Sequence, residues 1–231
     1  MATYYVGKGG NDASDGTTWA KRKLTLNGAE DNPVAAGDTV YVGPGTYRET
    51  LTCDVSGSSG SPITYIGDYD GSHTDGTGGV VRITGSDNDQ SATRNNCVWG
   101  AKSYRSFTNL VFDTNNNGQY AVYTGGTNQT FSKCLFLDNN GAGLYLPKAG
   151  SVISDCMFFG NTGIYWNNGG DDMGLTVQNS IFICRNYGLK VVTQTGGITV
   201  KNCLFLDHST ANTAAIVTNL TTAGQPVAVN N

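Results

Sequence analysis

Glutamate is nearly missing from this chain. Only Glu30 and Glu49 are glutamates among 18 acidic residues, and charged residues of every kind make up 14% of 231 positions. Solvated helices draw their exposed faces from Glu, Lys and Arg, so this composition excludes a helical bundle. Histidine is limited to His73 and His208, far apart, and the six cysteines (53, 97, 134, 156, 184 and 203) include no C-x-x-C pair. Both facts exclude a zinc module, and the cysteines read as small buried hydrophobes rather than as bridges. No apolar run approaches the roughly 18 residues of a membrane span. A net charge of -4 with a pI near 5.0 argues against a protein that grips a nucleic-acid backbone. At the N-terminus, MATYYVGKGG has no basic segment followed by an apolar stretch. That absence predicts a protein that folds in a cytosol, or one whose signal has been removed.

Glycine, by contrast, is abundant at 32 residues, about twice its usual share. With only 5 prolines and low net charge this is not a disorder signature. From Tyr104 onward the chain repeats. FTNLVFD (from Phe107), FSKCLFLD (Phe131), ISDCMFFG (Ile153), VQNSIFIC (Val177) and VKNCLFLD (Val200) start 24, 22, 24 and 23 residues apart. A second apolar segment follows in each unit, at Ala121, Gly143, Gly163, Gly188 and Ala214, after an Asn/Gly-rich turn. Three columns emerge: Phe107, Phe131, Ile153, Val177, Val200; then Leu110, Cys134, Cys156, Ser180, Cys203; then Phe112, Phe136, Phe158, Phe182, Phe205. Like residues recurring about every 23 positions suit a solenoid whose rungs stack at the ~4.8 Å strand spacing. The reading is an all-β, right-handed, single-stranded parallel β-helix with an N-terminal cap. Residues 1–37 form its first strand and capping segment, and 38–231 form the helix, regular from about 104. Looser early rungs are expected at Thr39–Gly43, Tyr47–Cys53, Pro62–Gly67, Val80–Thr84 and Cys97–Trp99. A short helix within Trp19–Asn32 would cover the first rung through Trp19, Leu24 and Ala29. Val229-Asn230-Asn231 repeats the pattern of Val200-Lys201-Asn202, which predicts a C-terminal end that is uncapped or truncated.

The opening YYVGKGGNDASDGTTWA, the stretch AAGDTVYVGPGTYRE at Ala35–Glu49 and SPITYIGD at Ser61–Asp68 resemble the start of β-helices of the pectin-lyase-like superfamily. The resemblance implies the fold. It leaves activity open, because that fold serves polysaccharide lyases, glycoside hydrolases, esterases, phage tailspikes and adhesins alike.

Candidate chemistry clusters on the second segment of each rung, where Tyr123, Tyr145, Tyr165 and Lys190 line up as a strip on which a glycan can lie. Asp171 and Asp172 precede the Lys190 rung, and these three are the candidates for a lyase or hydrolase mechanism. No cofactor is implied. Asp68, Asp70 and Asp75, in GDYDGSHTDGTGG, have a spacing that Ca²⁺ could use, although ordinary turn chemistry explains it too and no bidentate Glu closes the loop.

Strand side chains alternate between faces. If Cys134 and Phe136 point inward, two apolar columns must point outward: Val111, Leu135, Met157, Ile181, Leu204, and Leu137, Phe159, Ile183, Leu206. Ladders of this length exceed the isolated surface hydrophobes that need no explanation. They predict a homo-oligomer, a trimer by analogy with phage fibres, or contact with other virion proteins. The alternative cover is the segment after Thr218. The functional expectation is therefore a virion-surface structural protein of spike, fibre or decoration type, folded in a host cytosol and able to bind surface polysaccharide. Neither nucleic acid nor membrane is an expected partner. The alternatives are a polysaccharide lyase or glycoside hydrolase acting on acidic or neutral glycans, and a bacterial adhesin on the cell surface.

Overall fold

A computed structural model describes residues 1–31, 34–84, 95–115, 119–145, 149–167, 174–192, 197–206, 214–219 and 227–230. The chain winds as a parallel solenoid. Its first sheet stacks nine strands in chain order, from Thr3–Val6 through Thr39–Val42, Ile63–Gly67, Arg105–Thr108, Thr130–Ser132, Val152–Ser154, Leu175–Gln178 and Ile198–Lys201 to Val227–Asn230. Every pairing in it is parallel and free of register shifts. The second sheet bends round a corner. Its front half holds Gly45–Tyr47, Val81–Thr84, Val111–Asp113, the first residues of Leu135–Tyr145, Met157–Asn167 and Ile181–Val192, and Leu204–Leu206. Its rear half holds Leu51–Thr52, Val98–Gly100, Tyr120–Thr124, the later residues of the three long strands, and Ala214–Asn219. The register slips at the bend, between Phe136 and Ala142 and between Gly160 and Thr162.

The apolar columns are hydrogen-bonded ladders. Phe107, Phe131, Ile153, Val177 and Val200 are direct partners on successive rungs, and so are Phe112, Phe136, Phe158, Phe182 and Phe205. The rings of Phe136, Phe158, Phe182 and Phe205 stack at 4.4, 4.7 and 4.7 Å with planes within 8°. Parallel in-register pairing puts identical side chains one strand spacing apart, which is a ring-stacking distance.

Between the first sheet and the front half the backbone turns through one left-handed residue per rung: Asn109, Lys133, Asp155, Asn179 and Asn202, with φ of 57, 52, 56, 51 and 49°. Asparagine tolerates this conformation, whereas most L-residues lose about 1–2 kcal/mol in it. The amide of Asn202 donates to the Asn179 side chain, and that of Asn179 donates to Asp155, each at 3.3 Å. The next column, Cys134, Cys156, Ser180 and Cys203, lies at this corner and not across the interior from the phenylalanines. Each thiol or hydroxyl there donates to the carbonyl two residues earlier, at 3.3, 3.2, 2.8 and 3.2 Å. All six cysteines are free. Burial pushes the Cys53 thiol up to about 12 and the Cys134 thiol well above the usual range. Cys203 is only half-buried, because few rungs stack beyond it. Thiol labelling of the native protein should therefore modify Cys203 first, with Cys134 and Cys156 reacting only after unfolding; equal rates for all three would contradict this geometry.

The cap differs in detail from its sequence reading. In place of one helix there is a single 3-10 turn, Trp19–Lys21, and a five-residue helix, Leu26–Glu30. Leu26 and Ala29 seal the end, while Leu24 points outward at 40% exposure. Trp19 lies flat against Gly7 and Gly43, where any Cβ would collide with its ring.

The two glutamates hold this cap from opposite ends. Glu49 accepts the backbone N–H groups of Leu26 and Asn27 at 2.9 and 3.1 Å, satisfying donors that the helix start leaves free. Burial raises its carboxyl above the usual range despite those bonds. Glu30 is buried against Arg105 in a two-pronged pair, Nη1 to Oε1 at 2.8 Å and Nη2 to Oε2 at 2.7 Å. Tyr65 donates to the same carboxylate at 2.7 Å and the Asp54 N–H at 2.8 Å. Burial alone would raise the Glu30 carboxyl, but the bonds and charge of Arg105 outweigh it and hold the group below its ordinary value.

Candidate functional site

The rear half of the second sheet bears an outward ladder in which each residue pairs with the next: Thr52, Trp99, Tyr123, Tyr145, Tyr165, Lys190. The expected tyrosine–lysine strip is thus one continuous row. Sequence reasoning missed its first aromatic member, Trp99, and two flanking rings, Tyr120 and Tyr187. Trp99 stacks on Tyr123 at 4.3 Å, and Tyr123 on Tyr145 at 5.0 Å with planes 16° apart. Tyr120 adds a second ring against Tyr145 at 4.8 Å. Tyr165 meets Tyr145 edge-on at 5.5 Å. The Lys190 ammonium sits 5.1 Å from the Tyr165 ring centre and 5.0 Å from that of Tyr187, within cation–π range. Partial burial, reinforced by neighbouring phenols, raises the hydroxyls of Tyr120 and Tyr145.

Stacking decides which surfaces remain available. Tyr123 is sandwiched face to face between Trp99 and Tyr145, whereas Tyr165 stands at 70° to Tyr145. Trp99 is 46% exposed, and its neighbour on the far side is Thr52, too short to cover an indole. The row therefore offers an open aromatic face at its Trp99 end, followed by a line of phenols. At four rung steps of about 4.8 Å it runs roughly 19 Å, long enough for an oligosaccharide.

Asp171 and Asp172, the carboxylates expected beside Lys190, lie outside the described residues. Asp68, Asp70 and Asp75 do not converge. Asp68 is buried and accepts the His73 N–H at 3.0 Å, Asp70 accepts that of Ser72 at 3.1 Å, and Asp75 that of Thr77 at 2.9 Å. Each closes its own turn, and among the described residues no three His, Cys, Asp or Glu side chains are grouped to hold a metal.

The front half carries the apolar ladder Val111, Leu135, Met157, Ile181, Leu204 in unbroken register. The second column is shorter than its sequence reading. Phe159, Ile183 and Leu206 pair, but Leu137 pairs with Asp113 and the register slip separates it from Phe159. Met157, Phe159, Leu204 and Leu206 are 39, 44, 50 and 43% exposed, whereas Val111, Leu135, Ile181 and Ile183 are half-buried. At the other end of this face a groove of about 460 Å³ opens between the loop bearing Tyr69 and Val80 and the residues Val111, Lys133 and Leu135.

These features define a β-solenoid with an aromatic outer row, and the comparisons place it. The profile of the right handed beta helix region matches residues 53–205, so the chain belongs to the right-handed β-helix family. In structure it is similar to pectate lyase Pel9A, with a TM-score of 0.60 at 18% identity over 95% of this chain and 57% of the lyase. A rhamnogalacturonan lyase aligns with a TM-score of 0.51 at 15% identity, over the whole of this chain and 87% of the enzyme. A pectin methylesterase from carrot aligns with 0.58 at 16%, over 90% of this chain and 64% of the enzyme. Identities this low establish a shared pectin-lyase-like fold. No curated protein matches the chain in sequence.

Proposed function

We propose that this β-helix is a glycan-binding protein that takes an oligosaccharide along the row from Trp99 to Lys190. The observation carrying this reading is the open Trp99 face at the head of a solvent-facing line of phenols. An indole face stacks on the C–H face of a sugar ring, and phenol hydroxyls donate to and accept from sugar hydroxyls. Binding should be measured by quenching of tryptophan emission across neutral and acidic oligosaccharides. Trp166 is fully buried and Trp19 is covered by Arg22, so Trp99 dominates the accessible signal. Trp99→Ala should weaken binding at least about tenfold, as loss of an anchoring aromatic does. Tyr123→Ala should weaken it less, because that ring's faces are already occupied. Absence of binding to every glycan tested would remove this reading.

A second reading has its own observation. The exposed apolar ladder favours a part in an assembly, in line with the expected particle-surface or cell-surface role. Polysaccharide cleavage draws support from the neighbours' names at the level of fold alone, and a depolymerisation screen on the same sample tests it.

A further inference from the structure

We infer that the apolar front face is a contact between two copies of this chain related by a twofold axis, running antiparallel, with Lys133 of each copy against Asp155 of the other. This goes beyond glycan binding, which uses a different face.

Two independent features of the front face support it. The first is the column of corner residues beside the apolar ladder. Read along the solenoid it runs Asn109, Lys133, Asp155, Asn179, one residue per rung. Lys133 and Asp155 are exposed, and among the described residues neither has an ion-pair partner. That order is self-complementary on reversal: Asn meets Asn, and Lys meets Asp. A twofold contact requires this property, since residue i of one copy meets j of the other while j meets i. The axis must lie along the strand direction, between the rungs of Leu135 and Met157. Such a rotation reverses the solenoid but keeps each corner over the same corner of the partner. A parallel arrangement would bring Lys133 to the opposite edge, at the bend bearing Asn140 and Asn161, away from the partner's Asp155.

The second feature is shape. The same axis sets Ile181 over the partner's Val111 and Leu204 over the partner's Arg82 rung. Leu204, the most exposed member of the ladder at 50%, thus falls at the end that carries the groove between Tyr69, Val80, Val111 and Leu135. An exposed leucine meets a groove.

The test is the oligomeric state of the intact chain by sedimentation equilibrium, with charge reversals. Wild type should be a dimer. Lys133→Asp and Asp155→Lys should each raise the dimer dissociation constant at least about tenfold, because each places like charges opposite one another at two symmetric points. The double variant K133D/D155K should restore wild-type dimerisation, which a merely misfolded single variant could not explain. Both positions already hold Asp or Lys in the left-handed conformation, so the exchange preserves the backbone. Met157→Lys, near the axis, should leave only monomer, with circular dichroism still reporting β-structure. A wild type that stays monomeric at high micromolar concentration overturns the proposal. So does a trimer, or a dimer indifferent to both reversals; these would mean a threefold or parallel use of the same ladder.

Discussion

Replacing Arg105 with Met should cost about 3–5 kcal/mol, measured as a fall in the urea unfolding free energy. The substitution keeps an unbranched chain in the core but strips Glu30 of its counter-ion. Both residues are at most 3% exposed, so no water can take over. The carboxylate would keep Tyr65 and the Asp54 N–H as donors, which cannot balance a full buried charge. The loss should be largest at neutral pH and shrink in acid, where Glu30 can become neutral. In wild type the sign is opposite. Its Glu30 carboxyl is depressed, so the pair's stabilisation is complete above the unfolded-state value and is lost as pH falls through the lower folded value. The double variant E30L/R105M should recover much of the loss, because apolar replacement of a whole buried pair is often tolerated. An Arg105→Met loss under 1 kcal/mol would mean the cap is not anchored by this pair.

The other large effect lies in the middle of the solenoid. Phe158→Ala should destabilise by roughly 3–5 kcal/mol. Its ring is sandwiched between Phe136 at 4.4 Å and Phe182 at 4.7 Å, and it is fully buried. Backbone hydrogen bonds to both neighbouring rungs hold the strand in place, so the walls cannot close on the void. Phe205→Ala should cost clearly less, because that ring stacks on one aromatic neighbour and is only partly buried. Equal costs for the two would contradict a rigid ladder.

What could be read from the sequence follows from how regular each rung is. The phenylalanine columns were visible because parallel pairing translates a residue by one whole repeat, so alignment of the text is alignment in space. Even Val229-Asn230 falls in register with Val200-Lys201, as the repeat implied. Trp99 escaped because its rung precedes the region where the repeats align, although it stands 24 residues before Tyr123, one ordinary repeat. Leu137 was misplaced because the register slips at the bend, which an ungapped alignment ignores. The Glu30–Arg105 pair joins positions 75 apart with no motif. Its only trace is alternation, since Arg105 lies two residues before the inward Phe107 and must share its face. The corner charges Lys133 and Asp155 were in plain view within FSKC and ISDC. Their significance needed the geometry of the face beside them.

The 22–24-residue repeat also sets the order in which the molecule can form. Each new rung closes a loop of nearly constant length, so each step carries a similar entropic cost and finds a finished template only on its N-terminal side. The cap, sealed by Glu49 and, once Arg105 has left the ribosome, by Glu30, is the first complete template available to a growing chain. Growth in the direction of synthesis then lets each rung lock onto its predecessor while the next is still being translated. A solenoid assembled this way avoids a search among near-identical rungs, which a denatured full-length chain returned to buffer would face all at once.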